Sequence, residues 1–197
     1  MVEWLVVGLG NPGEEYAGSP HNVGFMVIDR LAEGCGARVR RKDSRASVGR
    51  VEIDGVPVLL AKPQTFMNLS GESVAPLVEK NSLTPDRLIV VYDDHDLPWL
   101  ALRIRPRGSA GGHHGMESVI RAVGTTEFAR VRLGIDFGRG RADPEFLLKP
   151  FRREQRKQLD DFLDYAAQAV VSMISEGVEM AMTKFNRRAQ GENIEEE

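Results

Sequence analysis

Trp4-Leu5-Val6-Val7-Gly8-Leu9-Gly10-Asn11-Pro12-Gly13 is the stretch from which the fold is read. Trp4 to Leu9 is a short apolar run, and the Gly-Asn-Pro-Gly that ends it is turn chemistry, so the segment reads as a buried strand entering a polar loop. Beyond the loop, Val23, Met26, Val27, Ile28 and Leu31 recur at helical spacing, and Gly34 to Gly36 stop the helix.

The same alternation continues outward. Val48 to Ile53 and Val56 to Lys62, separated by Asp54-Gly55, have the form of a hairpin. Asn68 to Asn81 reads as a helix, and Leu88 to Tyr92 as a strand. Leu100, Leu102 and Ile104 alternate with arginines and small residues, which gives a strand with one buried face. A glycine-rich loop from Gly108 to Gly115 leads to a helix over Met116 to Val123, and Arg130 to Asp136 is another alternating strand. Leu159, Phe162, Leu163, Ala166, Ala169, Val170, Met173 and Ile174 follow a helical period in the last third. Gly138 to Arg141 is a basic loop, and the acidic end of the chain is expected to fray. Strands alternating with helices, plus a hairpin, predict an α/β layered domain with a mixed sheet and a site on the loops at its strand ends.

The 197 residues suit one domain with a full hydrophobic core, and 42% apolar with 28% charged residues is the ordinary globular mixture. The apolar runs fall far short of a membrane span, and no charged-then-apolar signal opens the chain, so a cytoplasmic protein is expected. Cys35 is the single cysteine, which excludes an internal disulfide and any multi-cysteine zinc site. A net charge of −3 argues against a protein that coats nucleic acid. The arginines are nonetheless clustered, in one basic run from Arg38 to Arg50 and in a second set of Arg103, Arg105, Arg107, Arg121, Arg130 and Arg132. They form either a local nucleic-acid face or a solvated surface.

Three polar clusters follow apolar segments: Gly10 to Asn22, Phe66-Met67-Asn68, and Asp93-Asp94-His95-Asp96. A histidine takes a proton from water near neutral pH, and a carboxylate on its other nitrogen fixes the tautomer; His21 with Asp93 would supply that dyad. Asn11 and Asn68 carry amides suited to gripping a peptide group or a developing oxyanion without adding charge. Structural alternatives stand beside each: His21 as a neighbour of a helix cap, Asn68 as a cap, Asp93 to Asp96 as an acidic turn.

Gly8-Leu9-Gly10-Asn11-Pro12-Gly13 with Tyr16 and His21-Asn22, then Lys62-Pro63-Gln64-Thr65-Phe66-Met67-Asn68-Leu69-Ser70-Gly71, resemble the bacterial peptidyl-tRNA hydrolase family. Asp93-Asp94-His95-Asp96-Leu97-Pro98 and Gly108-Ser109-Ala110-Gly111-Gly112-His113 continue the pattern in the same order. The likeness covers nearly the whole chain and thins over Ala37 to Arg50 and after Arg152. It implies a single α/β domain over residues 1–188, three layers with a twisted mixed β-sheet flanked by helices, and an acidic tail over 189–197. It further implies a monomer that acts on peptidyl-tRNA with no metal or other cofactor, no membrane and no obligate protein partner, and that returns tRNA to translation. By the same resemblance His21 is the general base, Asp93 its orienting carboxylate, and Asn11 the residue that tells N-blocked peptidyl-tRNA from free aminoacyl-tRNA. Tyr16, Phe66, Met67, Asn68, His113 and His114 line the place of the peptide and tRNA 3′ end, and Arg105 and Arg132 meet phosphate.

The chain departs from that pattern in three places. His114 stands where the family commonly has an asparagine lining the cleft, and its protonation would place a cation beside His21. Pro20 stands for a usual arginine, and Leu100 for a usual glycine. Three other readings are set against this one. Gly8 to Gly13 formally matches a dinucleotide fingerprint, but Pro12 and Glu14-Glu15 do not begin the apolar helix that motif needs. A metallohydrolase built on Asp93, Asp94, His95, Asp96, His113 and His114 would lack any helix-borne ligand spacing. An RNA-binding relative that has lost efficient hydrolysis would keep the fold and the tRNA face.

Overall fold

The computed structural model describes residues 1–138 and 144–186. The expected basic loop beyond Gly138 and the acidic tail lie outside the described residues. Seven strands form one sheet in the order β2-β3-β4-β1-β5-β7-β6. The strands are β1 (Trp4–Gly8), β2 (Arg41–Asp43), β3 (Ala46–Ile53), β4 (Val56–Pro63), β5 (Leu88–Pro98), β6 (Leu102–Arg105) and β7 (Ala129–Asp136). The helices are α1 (Val23–Gly34), α2 (Gly71–Lys80), α3 (His114–Val123), α4 (Pro144–Leu148), α5 (Arg153–Ser175) and α6 (Val178–Phe185). Among them none is long and apolar enough to cross a membrane.

β1 lies at the centre, parallel to β4 on one side and β5 on the other, and β7 extends the parallel set from β5. β3 and β6 run antiparallel at the two flanks. A strand covered on both faces has no reason to alternate, which is why all five residues of β1 are buried. Val6 packs with Ile28, Leu60, Ile89 and the apolar side of α5, while Leu5 and Val7 pack with Leu59, Val90, Val74 of α2 and Met116 of α3. The sheet thus sits between two apolar layers.

Parallel pairing fixes where function can lie, because β1, β4 and β5 all deliver their C-terminal ends to one rim. Gly8 and Gly24 bring α1 hard against that rim: a Cβ on Gly8 would lie 2.1 Å from the Gly24 carbonyl oxygen, and one on Gly24 2.4 Å from that of Val91. Neither position tolerates a side chain, and the close approach carries the turn before α1 alongside the middle of β5.

Several expectations are corrected. Asp93 to Asp96 are not a turn after a strand but part of β5, which runs on to Pro98. The alternating strand expected from Leu100 begins at Leu102, because Leu100 has a φ of 65° in the turn before it. β7 is buried on both faces apart from Arg132 and Asp136. The helix expected from Asn68 is a 3-10 turn at Met67–Leu69 followed by α2.

Candidate active site

The turn before α1 is a 3-10 turn, Pro20–Asn22, with Pro20 at its first position. A proline there has its φ already set and gives up no needed donor, so this substitution suits the scaffold. His21 stands in the middle of that turn, over Asp93 midway along β5. Its Nδ1 lies 2.8 Å from both carboxylate oxygens of Asp93. Asp93 is 2% exposed and accepts a second hydrogen bond from the other side, His113 Nε2 at 3.0 Å from Oδ1.

The tautomers follow from the partners. His113 caps α3, and its Nδ1 accepts the Met116 backbone N–H at 3.2 Å. That nitrogen therefore carries no proton, and Nε2 is the one that donates to Asp93. Both imidazoles point an N–H at one carboxylate, with ring centroids 5.3 Å apart. Nδ1 of His21 is committed to Asp93, which leaves its Nε2 to accept a proton. Burial alone would push the His21 pKa down, but the charge of Asp93 and its hydrogen bond more than offset this, so the value is raised above 6.5. Burial alone would raise the Asp93 carboxyl; its interactions with His21 and His113 hold it well below the usual carboxylate range.

His21, Asp93 and His113 also bring three potential metal ligands within 4.8 Å of one another. The donor set does not suit a metal. A ligating histidine normally donates its far N–H, whereas the far nitrogen of His113 accepts one, so binding through Nε2 would demand an imidazolate.

Asn11 follows β1 on the same rim. Its side-chain oxygen accepts the Met67 N–H at 2.8 Å, which ties the loop after β1 to the loop after β4. Asn22 holds it from the other side: Asn11 N–H donates to Asn22 Oδ1 and Asn22 Nδ2 donates to the Asn11 carbonyl, both at 2.9 Å. The 3-10 turn after β4 leaves the Phe66 ring 62% exposed and Asn68 exposed, while Met67 is buried. No hydrogen bond joins the Asn68 amide to another described residue, so the capping alternative finds no support. Tyr16 ends a 3-10 turn after β1 and is half-buried.

A cavity of about 210 Å³ adjoins this cluster, lined by Asp93 and His113 at one end and by Arg105, Arg107, Arg130 and Arg132 around it. The arginines differ. Arg132 Nε donates to Asp94 at 2.5 Å, and Arg107 pairs with Glu127. Arg105 is half-buried with no ion-pair partner among the described residues. Arg130, read from the sequence as part of a basic face, is 1% exposed. It donates to the carbonyls of Gly108, Ser109 and Thr126 and lies over the Phe128 ring, so it props the glycine-rich loop from beneath. The other basic run lies on the β2–β3 edge, where Arg41 and Arg45 pair with Asp43 and Glu72.

The structure thus brings His21, Asp93 and His113 into one hydrogen-bonded set and Asn11, Asn22 and Met67 into a second, joined through the consecutive residues His21 and Asn22, with Phe66 and Asn68 exposed beside Met67. His114 is a different matter. Its side chain is 79% exposed and its Nδ1 lies 3.4 Å from Glu117, so the imidazole packed beside His21 is that of His113. Expected as a substrate contact, His113 has both ring nitrogens engaged within the protein. The sequence reading gave no role to Asn22 and did not see the second histidine on Asp93; only their adjacency to His21 and to the glycine-rich loop was available to suggest them.

The chain resembles known proteins over nearly its whole length. The family model described as peptidyl-tRNA hydrolase matches residues 5–193. A peptidyl-tRNA hydrolase of Solibacter usitatus is 61% identical over 98% of this chain and 99% of its own, and the chloroplastic peptidyl-tRNA hydrolase of Arabidopsis thaliana is 42% identical over 98% and 68%. The crystal structure of peptidyl-tRNA hydrolase from Acinetobacter baumannii superposes with a TM-score of 0.87 at 30% identity, covering 95% of this chain and 97% of that one. The matched range includes the loop after β1 that holds Asn11 and His21, the loop after β4 and Asp93 within β5, as well as the sheet beneath them, and the chain belongs to the peptidyl-tRNA hydrolase family.

Proposed function

We propose that this chain hydrolyses the ester between a peptide, or another N-blocked aminoacyl group, and the 3′ ribose of tRNA, with His21 as general base. The observation that carries the reading is the His21–Asp93 contact, which commits Nδ1 and leaves Nε2 as the proton acceptor. Water bound at Nε2 gives its proton to the imidazole as its oxygen bonds to the ester carbonyl. Asp93 stabilises the imidazolium that forms. The tetrahedral intermediate then expels the ribose oxygen, which takes that proton back, so the products are a free carboxylic acid end on the peptide, which loses its proton to solvent, and a tRNA with its hydroxyl restored. An activated ester needs no covalent enzyme intermediate for this.

The surroundings fit the two halves of the substrate. The exposed Phe66 ring offers a face on which a 3′-terminal base stacks. Asn68 and Asn11 offer amides to the peptide backbone, with Met67 holding Asn11 and Tyr16 on the same rim. Arg105 and Arg132 line the adjoining cavity and take the phosphate of the acceptor end; His113 positions Asp93, and His114 stands at the outer rim. Replacing His21 by Ala lowers kcat on N-acetyl-aminoacyl-tRNA by about 10²-fold to 10⁴-fold, with binding of tRNA retained. Hydrolysis by that variant at the parent rate removes His21 as the base.

A further inference from the structure

Asn22 is 2% exposed, makes no cap for the helix it precedes, and spends its whole side chain on the backbone of Asn11. An amide NH₂ cannot accept a hydrogen bond, so Asn11 N–H fixes which atom of the Asn22 amide is Oδ1, and Met67 N–H does the same for Asn11. Neither amide is free to be read the other way round. With its oxygen occupied by Met67, Asn11 has only its NH₂ left to present. That nitrogen has no protein partner among the described residues, yet the buried unpaired side-chain atoms among them are Thr65 Oγ1 and Arg130 Nε, so the Asn11 Nδ2 opens to solvent.

We propose that Asn22 is a positioning residue for substrate selectivity: its two-point clamp on the Asn11 backbone holds the Asn11 amide with hydrogen-bond donors, and no acceptor, facing the substrate. The inference rests on the reading of Asn11 given above and adds the mechanism. An acylated amino group carries a carbonyl oxygen two bonds beyond the nitrogen, which can accept from Asn11. A free aminoacyl ester presents an ammonium instead, donors against donors, and gains nothing from the amide. Asn22 follows His21 directly in the chain, so the group that reads the acyl oxygen is fixed relative to the base that activates water.

The test compares the ratio of kcat/KM on N-acetyl-aminoacyl-tRNA to that on unblocked aminoacyl-tRNA, with melting temperature recorded for each variant. Asn22→Ala loses both clamp bonds, and its ratio falls by about tenfold, the worth of one hydrogen bond to substrate. Asn11→Ala falls at least as far. Asn22→Asp is the discriminating variant. As a carboxylate it sets acceptor against acceptor at the Asn11 carbonyl; protonated, it has the donor and acceptor of the amide. Its ratio therefore recovers toward the parent as pH is lowered, relative to Asn22→Ala at the same pH, an effect that loss of packing does not produce. If Asn22→Ala fails to fold, the pH response of Asn22→Asp decides alone. An unchanged ratio in the Asn22 variants while Asn11→Ala loses it overturns the clamp and leaves the Asn11 reading standing; an unchanged ratio in Asn11→Ala overturns both.

Discussion

Asp93 accepts from two imidazoles at once, His21 Nδ1 at 2.8 Å and His113 Nε2 at 3.0 Å, and the second of these governs how strongly the first is held. The carboxylate raises the His21 pKa above 6.5, and only the neutral imidazole can take a proton from water. Activity therefore falls as pH drops through that raised value and is complete above it. Removing the His113 N–H leaves the Asp93 charge less shared and its pull on the His21 proton stronger. His113→Ala should accordingly move the acid limb of kcat to higher pH and lower the plateau by roughly tenfold, as befits a lost charge-assisted hydrogen bond. Asp93→Asn should move the limb the opposite way, because the charge that raises His21 is gone, with a lower plateau from the lost tautomer control. A pH–rate profile settles it: limbs that move together, or not at all, sink the shared-carboxylate account.

Arg132 and Asp94 give a second test, on tRNA affinity rather than on rate. The Arg132–Asp94 pair at 2.5 Å and Arg105, which has no ion-pair partner among the described residues, line one cavity. Phosphate contacts release counterions, so Arg105→Ala should weaken binding of deacylated tRNA and lower the slope of log K against log salt by about 1. Arg132→Ala should weaken binding further, because it also leaves the Asp94 carboxylate uncompensated beside phosphate. Adding Asp94→Asn to Arg132→Ala should restore part of the loss. A double variant no better than Arg132→Ala shows that Asp94 does not face the ligand.

What the sequence disclosed and what it hid divide along physical lines. Uniform apolar runs such as Trp4 to Leu9 and Leu88 to Tyr92 announced a sheet buried on both sides, and the C-terminal ends of those runs marked the rim. The extension of β5 through Asp93 to Asp96 was hidden because strand pairing satisfies backbone groups whatever the side chains are, and the buried acids here answer to the fold, Asp93 to two histidines and Asp94 to Arg132. β2 was hidden for a related reason: Arg41-Lys42-Asp43 pairs at an exposed edge with no apolar face to give a period. The burial of Arg130 leaves little local signature, since besides the nearby Thr126 carbonyl and Phe128 ring its partners are carbonyls of a loop some 20 residues earlier that only the fold brings over it. His21 and Asp93 were nominated by their chemistry and by family resemblance. The clamp of Asn22 on Asn11 joins a side chain to backbone atoms 11 residues away and so leaves no motif.

Leu100 is the departure from the family pattern that the structure explains most directly. Ala101 N–H donates to the Pro98 carbonyl at 2.9 Å, closing a four-residue turn, and Leu100 at its third position has a φ of 65°. Turns that demand a positive φ at that position favour glycine, and a leucine there costs about 1–2 kcal/mol. The cost is offset by packing, for the side chain is half-buried against the core layer that contains Leu102 and Phe162. Leu100→Gly trades relief of the backbone for lost packing and a looser unfolded chain, and should leave stability within about 1 kcal/mol of the parent. Leu100→Ala keeps the strained φ and loses the contacts, and should cost about 1–2 kcal/mol. Urea unfolding orders the three. If Leu100→Ala is as stable as Leu100→Gly, the turn stores no strain at Leu100, and packing alone accounts for the residue found there.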